Sequence, residues 1–310
     1  MTKKGSGAVF GAVGEKLHPT PFSATAPHRA ADFLALTKPR LNSLVVVTAG
    51  IGYYLGADGD LRLASLVQAV LGIALVAGGA AGLNQIYERD TDSLMFRTRM
   101  RPLAAQRVTT GEALVFSLTL AATGLGVLAA TSNLLAAFLA LLTLVSYNVI
   151  YTPMKRRSQL ATLVGAVPGA LPPMIGWVAA RGRLTPEAWA LFAIVFVWQI
   201  PHFMAISWLY RADFGRAGFP LLPVVEPTGR STGRQAVLFS LVLVPLSLVP
   251  YFLKMSGPAY AVGAAAGSVA LLWLAISFAL KRNDDRARVL FLGSITYLPL
   301  LWGMLILDRL

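Results

Sequence analysis

Apolar runs long enough to cross a bilayer recur at short intervals along the chain. A spanning helix needs about 17 to 25 mostly apolar residues, and that template fits at 41–57, 63–83, 113–130, 133–151, 159–179, 187–209, 234–253, 258–280 and 289–307. The pattern predicts an all-α integral membrane protein with nine transmembrane helices, the third and fourth joined only by Thr131, Ser132 and Asn133. No soluble domain fits between any two runs, and no internal repeat is visible. Residues 1 to about 33 lack an apolar run and are rich in Gly, Ala, Ser, Thr and Pro. They read as a disordered tail ahead of one membrane-embedded domain over 34–310.

Composition agrees: 56% of the 310 residues are hydrophobic and 13% charged, too apolar a mixture for a soluble surface. The absence of cysteine excludes disulfides and thiolate metal sites. A net charge of +13 would fit a nucleic-acid binder only if the basic residues clustered on a polar domain, and they do not. They fall between apolar runs. With nine spans, all of the 27 Lys and Arg residues except Arg62, Arg181, Arg183, Lys254 and Arg309 lie on one side. The positive-inside rule then puts the amino terminus in the cytoplasm and Leu310 outside. A bacterial cell (inner) membrane is the expected location; the acid-poor tail keeps a mitochondrial inner membrane as the alternative.

Proline interrupts the fifth run, between Val167 and Trp177, and the sixth, between Trp198 and Phe203. In lipid a proline frees a carbonyl that neighbouring helices or a polar cavity must satisfy. Either a kinked, cavity-lining pair or plain helix packing accounts for them.

The chemistry gathers directly after the second run, from Asn84 to Pro102. If the helix continues, Asn84, Glu88 and Asp92 stand at i, i+4 and i+8 on one face, over about 12 Å. One amide and two carboxylates are hard oxygen ligands that suit Mg²⁺, an ion commonly held by one or two carboxylates plus substrate phosphate. Arg97, Arg99, Arg101 and Arg107 follow. Acids for a cation beside arginines for an anion fit a metal-bound diphosphate; the competing reading is a solvated loop whose charges pair with each other. In the same topology Lys38 and Arg40, Tyr151 and Lys155, and Arg211 and Asp213 reach the same side of the membrane. His202 is the one histidine inside a span, where an ionisable group is costly and is a functional candidate by default, with neutral helix packing as the alternative.

These residues resemble the UbiA-type membrane prenyltransferases. The superfamily's first acidic motif, Asn-Asp-x-x-Asp-x-x-x-Asp, is similar to Asn84-Gln85-x-x-Glu88-x-x-x-Asp92, and its Tyr-x-x-x-Lys element to Tyr151 through Lys155. Arg97-Thr98, Arg101-Pro102-Leu103, Leu36 to Arg40, Gly169 to Pro173, Trp198 to Phe203 and Ala217 to Pro220 resemble the haem-directed branch. The matches run from about residue 36 to 225; beyond that only hydrophobicity and span number agree. One departure stands out: a second Asp-x-x-x-Asp motif starting at Asp213 would need an acid where Ala217 stands.

The resemblance implies a UbiA-like bundle with a central cavity open to the cytoplasmic side and to lipid. It implies transfer of farnesyl from farnesyl diphosphate to the 2-vinyl group of haem B with addition of water, giving haem O and diphosphate, with Mg²⁺ as cofactor. Carried over residue by residue, Asn84, Glu88 and Asp92, and Asp213 as a further ligand, would hold the metal. Lys38, Arg97, Arg101, Lys155 and Arg211 would meet the diphosphate, Tyr151 would shield or position the allylic cation, and Arg40 and His202 would serve the haem. Partners implied are the lipid bilayer and a downstream haem-modifying membrane enzyme. An aromatic quinone precursor as acceptor is the nearest alternative. A transporter is a more distant one, since transporters place ionisable groups near the midplane and often repeat their halves.

Overall fold

A computed structural model describes residues 29–310 apart from Asp58 and Asp60. Most of the expected tail, residues 1–28, lies outside the described residues; Arg29–Leu36 forms an amphipathic helix, α1. It buries Asp32 and Leu36, four residues apart and so on one face.

The long helices are α2 (Pro39–Gly56), α3 (Leu63–Leu94), α4 (Thr110–Thr131), α5 (Leu134–Met154), α6 (Ala161–Arg181), α7 (Pro186–Leu209), α8 (Arg230–Leu246, continued by Val249–Phe252), α9 (Pro258–Lys281) and α10 (Asp284–Leu307). Among the described residues there is no strand. Eight helices, α3 to α10, are long and apolar enough to cross a membrane. The ninth expected span is α2, 18 residues long; Pro39, Arg40, Asn42 and Ser43 dilute its apolar character at the start.

Local chemistry sets the ends. Thr109 and Glu112 form a reciprocal capping box that starts α4, with the Glu112 N–H donating to Thr109 Oγ1 at 3.3 Å and the Thr109 N–H to Glu112 Oε2 at 3.0 Å. Asn133 caps α5 by accepting from the Ala136 N–H at 2.8 Å, and its amide donates to the Val178 carbonyl of α6 at 2.8 Å. Gly182, at φ 74°, ends α6.

Each helix packs on the next around a ring from α2 to α10. Besides these sequential contacts α2 lies against α6, and α7 against α10. The α2–α6 crossing is backbone on backbone. A Cβ added at Gly52 would lie 1.9 Å from the Pro173 carbonyl oxygen, and one at Gly176 would lie 1.9 Å from that of Ala49. Without a hydrophobic drive between helices in lipid, such small-residue contacts supply the packing. The Arg309 guanidinium donates to the Tyr54 carbonyl at 3.0 Å and also to that of Ala57, tying the end of the chain to the end of α2.

Candidate active site

α3 does continue through the acidic segment, because no proline or glycine interrupts it between Leu83 and Leu94 and tertiary packing covers its inner face. Asn84, Glu88 and Asp92 therefore line one face, and all three are buried, at 2%, 3% and 1% exposure. Two carboxylates at that depth need cations. Each of the three residues meets one, from a different segment.

Lys38 Nζ donates to Asn84 Oδ1 at 2.7 Å. Lys155 Nζ donates to Glu88 Oε1 at 3.2 Å. Arg101 Nη1 reaches both oxygens of Asp92, at 2.8 and 2.7 Å, and lies 4.0 Å from Glu88 Oε2. Lys38 sits between α1 and α2 with a left-handed backbone, φ 48°, a strained conformation for a residue with a side chain. Burial, followed by the nearby Arg101 charge, draws its ammonium from 10.5 down to about 7.

Neighbouring groups hold this row in place. Asn84 Nδ2 donates to Thr152 Oγ1 at 3.1 Å. Gln85, which stands where the superfamily pattern has an aspartate, donates instead to the Leu36 carbonyl at 2.7 Å and ties α1 to α3. The 95–108 loop, which carries Arg101, is itself tied to α1: Arg107 Nε donates to Asp32 Oδ1 at 2.9 Å, and Leu103 and Val108 pack on Leu36.

Near the end of α5 the helix widens into a π turn, Ser146–Tyr151, a distortion often found at functional sites. Tyr147 and Tyr151 pack there with their rings tilted by 33° and centroids 5.5 Å apart. Gly165 leaves room for them, since a Cβ on it would lie 2.4 Å from Tyr151 Cε2.

The segment after α7 joins the site through rings rather than charges. Arg97 lies over Tyr210, 4.9 Å from the ring centroid, and over Phe214; Lys155 lies 4.8 Å from that of Phe219. Asp213 pairs with Arg216. Arg211 is turned away from the acidic row: its guanidinium donates to the Trp208 carbonyl at 2.6 Å and to Asp284 Oδ1 at 2.8 Å. These contacts tie α7 to α10. Ala217 is buried in an apolar cluster with Met95, Phe214, Phe219 and Leu221.

Arg40 is exposed on the first turn of α2. His202 lies between α7 and α10, its Nδ1 2.9 Å from Ser294 Oγ and its ring stacked on Trp198 and Phe291, with centroids 5.2 Å away in each case. It belongs to a different part of the bundle wall from the acidic row.

Among the described residues no three His, Cys, Asp or Glu side chains gather as a closed metal site. Two carboxylates and an amide, each already facing a cation, nonetheless suit a hard ion that shares its charge with a bound diphosphate. Sequence reasoning missed Thr152, Tyr147, Asp32 and the rings of Phe214 and Phe219. Thr152 follows Tyr151 inside the Tyr-x-x-x-Lys element, and Asp32 with Leu36 already shows helical spacing.

Residues 44–296 match the UbiA prenyltransferase family. Curated relatives include the protoheme IX farnesyltransferase of Solibacter usitatus (strain Ellin6076), 46% identical over 90% of this chain and 98% of the relative. That of Koribacter versatilis (strain Ellin345) is 43% identical over 90% of this chain and 93% of the relative. Among solved structures, a digeranylgeranylglyceryl phosphate synthase superposes with a TM-score of 0.77 at 16% identity, over 90% of this chain and 98% of that one. A UbiA homolog from Archaeoglobus fulgidus bound to GPP and Mg²⁺ superposes with a TM-score of 0.64 at 17% identity, over 89% and 99%.

Proposed function

The chain belongs to the UbiA prenyltransferase family, and from that membership we propose that it transfers the farnesyl group of farnesyl diphosphate to the 2-vinyl group of haem B. Water adds in the same reaction, and haem O and diphosphate are the products. The observation that carries the donor half is the buried row Asn84, Glu88 and Asp92, matched by Lys38, Lys155 and Arg101 from three different segments. The acceptor half rests on the protoheme IX farnesyltransferase relatives at 40–46% identity.

Mg²⁺, when bound, neutralises the charge that develops on the departing diphosphate. Asn84, Glu88 and Asp92 would hold it. Lys38, Lys155, Arg101 and Arg97 supply donors to the diphosphate oxygens as the allylic C–O bond breaks. Tyr151, paired with Tyr147, presents a π face to the allylic cation and keeps water from it. The terminal vinyl carbon of the haem then bonds to the farnesyl C1, and water adds to the other vinyl carbon with loss of a proton. Asp213 is an outlying candidate ligand, and Arg40 and His202 are assigned to haem, His202 through Nε2, the ring nitrogen that Ser294 does not engage. The enzyme sits in the bacterial cell membrane with its amino terminus in the cytoplasm, and its product passes to a haem-modifying membrane enzyme.

The purified protein, given farnesyl diphosphate and Mg²⁺, should release diphosphate in step with loss of haem B and appearance of a farnesylated hydroxyethyl haem. Release that depends on a 4-hydroxybenzoate-type acceptor and ignores haem would overturn the haem assignment and favour an aromatic substrate.

A further inference from the structure

Asn84 differs from the two carboxylates beside it in having only one end able to hold a cation. Which end faces the acidic row is decided by its neighbours. Lys38 Nζ stands 2.7 Å from the amide oxygen, to which it donates, and in its ammonium form it could do nothing else. On the other side Thr152, fully buried, donates its hydroxyl hydrogen to the Tyr147 carbonyl at 2.7 Å, which leaves its oxygen able only to accept. It accepts from Asn84 Nδ2 at 3.1 Å.

The π turn makes this possible. The Tyr147 carbonyl is bonded by the Thr152 N–H five residues on and is within reach of the same residue's hydroxyl, which aims the remaining hydroxyl lone pair across to α3.

We infer that Thr152 is a positioning residue that locks the Asn84 carboxamide with Oδ1 toward the acidic row, so that this oxygen is presented to a divalent cation. The inference rests on the proposed assignment of Asn84 to the metal and diphosphate. Lys38 imposes the same orientation only while its ammonium stays on Oδ1. Once a cation and a diphosphate compete for that oxygen and that ammonium, Thr152 is the group that keeps the amide from flipping. Residues that orient a metal ligand typically change affinity by about 10- to 100-fold when removed. One neutral oxygen among three ligands places Thr152 near the lower figure.

The test is direct binding of Mn²⁺ by electron paramagnetic resonance, on the full-length protein in nanodiscs with the unreactive donor analogue farnesyl thiolodiphosphate. Wild type should bind the ion, and Thr152→Val should bind it about tenfold more weakly with an unchanged melting temperature. Thr152→Ser, which keeps the hydroxyl, should bind within about twofold of wild type. Adding Asn84→Ala to Thr152→Val should bring little further loss, because the first deletes the oxygen that the second has already let turn away from the ion. If Thr152→Val does not fold, Thr152→Ala replaces it in the same comparison. A folded Thr152→Val or Thr152→Ala protein that binds Mn²⁺ like wild type, while Asn84→Ala alone weakens binding, would overturn the positioning role and leave the metal reading intact. Wild type that binds no Mn²⁺ would overturn the metal reading and the positioning role with it.

Discussion

Cutting the tie between α1 and the 95–108 loop should weaken donor binding although neither partner touches the acidic row. Asp32 accepts from Arg107 at 2.9 Å, and its side chain is 12% exposed while that of Arg107 is 35% exposed. A hydrogen bond between charged groups contributes about 1.5–3 kcal/mol. With a third of Arg107 in solvent, screening reduces that to about 1 kcal/mol. That is about a fivefold shift in the equilibrium between a docked and a loosened loop, since 1.4 kcal/mol corresponds to tenfold. The same loop carries Arg97 and Arg101.

Asp32→Ala should therefore raise the KM for farnesyl diphosphate and speed tryptic cleavage within 95–108 by about twofold each, since both draw on the same fivefold shift, with a smaller change in kcat. Exchanging the charges, Asp32→Arg with Arg107→Asp, should recover part of both. Unchanged KM and unchanged cleavage in a folded Asp32→Ala protein would refute the idea that α1 holds this loop in place.

Removing the cation from Glu88 has a more direct effect: Lys155→Met should lower kcat/KM by about 100-fold or more in a diphosphate-release assay, with Lys155→Arg recovering part of it. Gly52→Val would force side-chain atoms onto the Pro173 carbonyl, so overpacking of about 1–3 kcal/mol should appear as a lower melting temperature in detergent. A melting temperature equal to wild type would contradict the close α2–α6 crossing. His202→Ala should weaken haem binding by about tenfold, in spectroscopic titration, while leaving affinity for the donor analogue unchanged. Equal haem affinity would make His202 a packing group of the α7–α10 wall.

Elements held by their own periodicity could be read from the sequence. The run after Leu63 carried a helix on through Asn84, Glu88 and Asp92 because nothing in those residues breaks one, and the i, i+4, i+8 spacing then placed them together. α2 was legible as an apolar stretch, yet its first turn is polar because Lys38 and Arg40 belong to the charged end of the bundle, so length and apolarity alone single out eight spans rather than nine. α1 was hidden because eight residues carry little helical signal of their own and its stability comes from Leu36 and Asp32 meeting a loop some 70 residues on. Partners far apart in sequence were the main loss. Nothing near Arg211 in the sequence points to Asp284, and nothing near His202 points to Ser294, which arrives from α10. The π turn was invisible for a different reason: it is a backbone adjustment with no residue signature, and it sets the Thr152 contact to Asn84.

The central claim is tested most directly by mass spectrometry of haems extracted from membranes of a host that lacks its own haem O, expressing either wild type or Asp92→Ala. The account predicts haem O with wild type and haem B alone with the variant at equal protein level. Haem O from both would contradict the assignment of the acidic row, and none from a folded wild type would contradict haem as the acceptor.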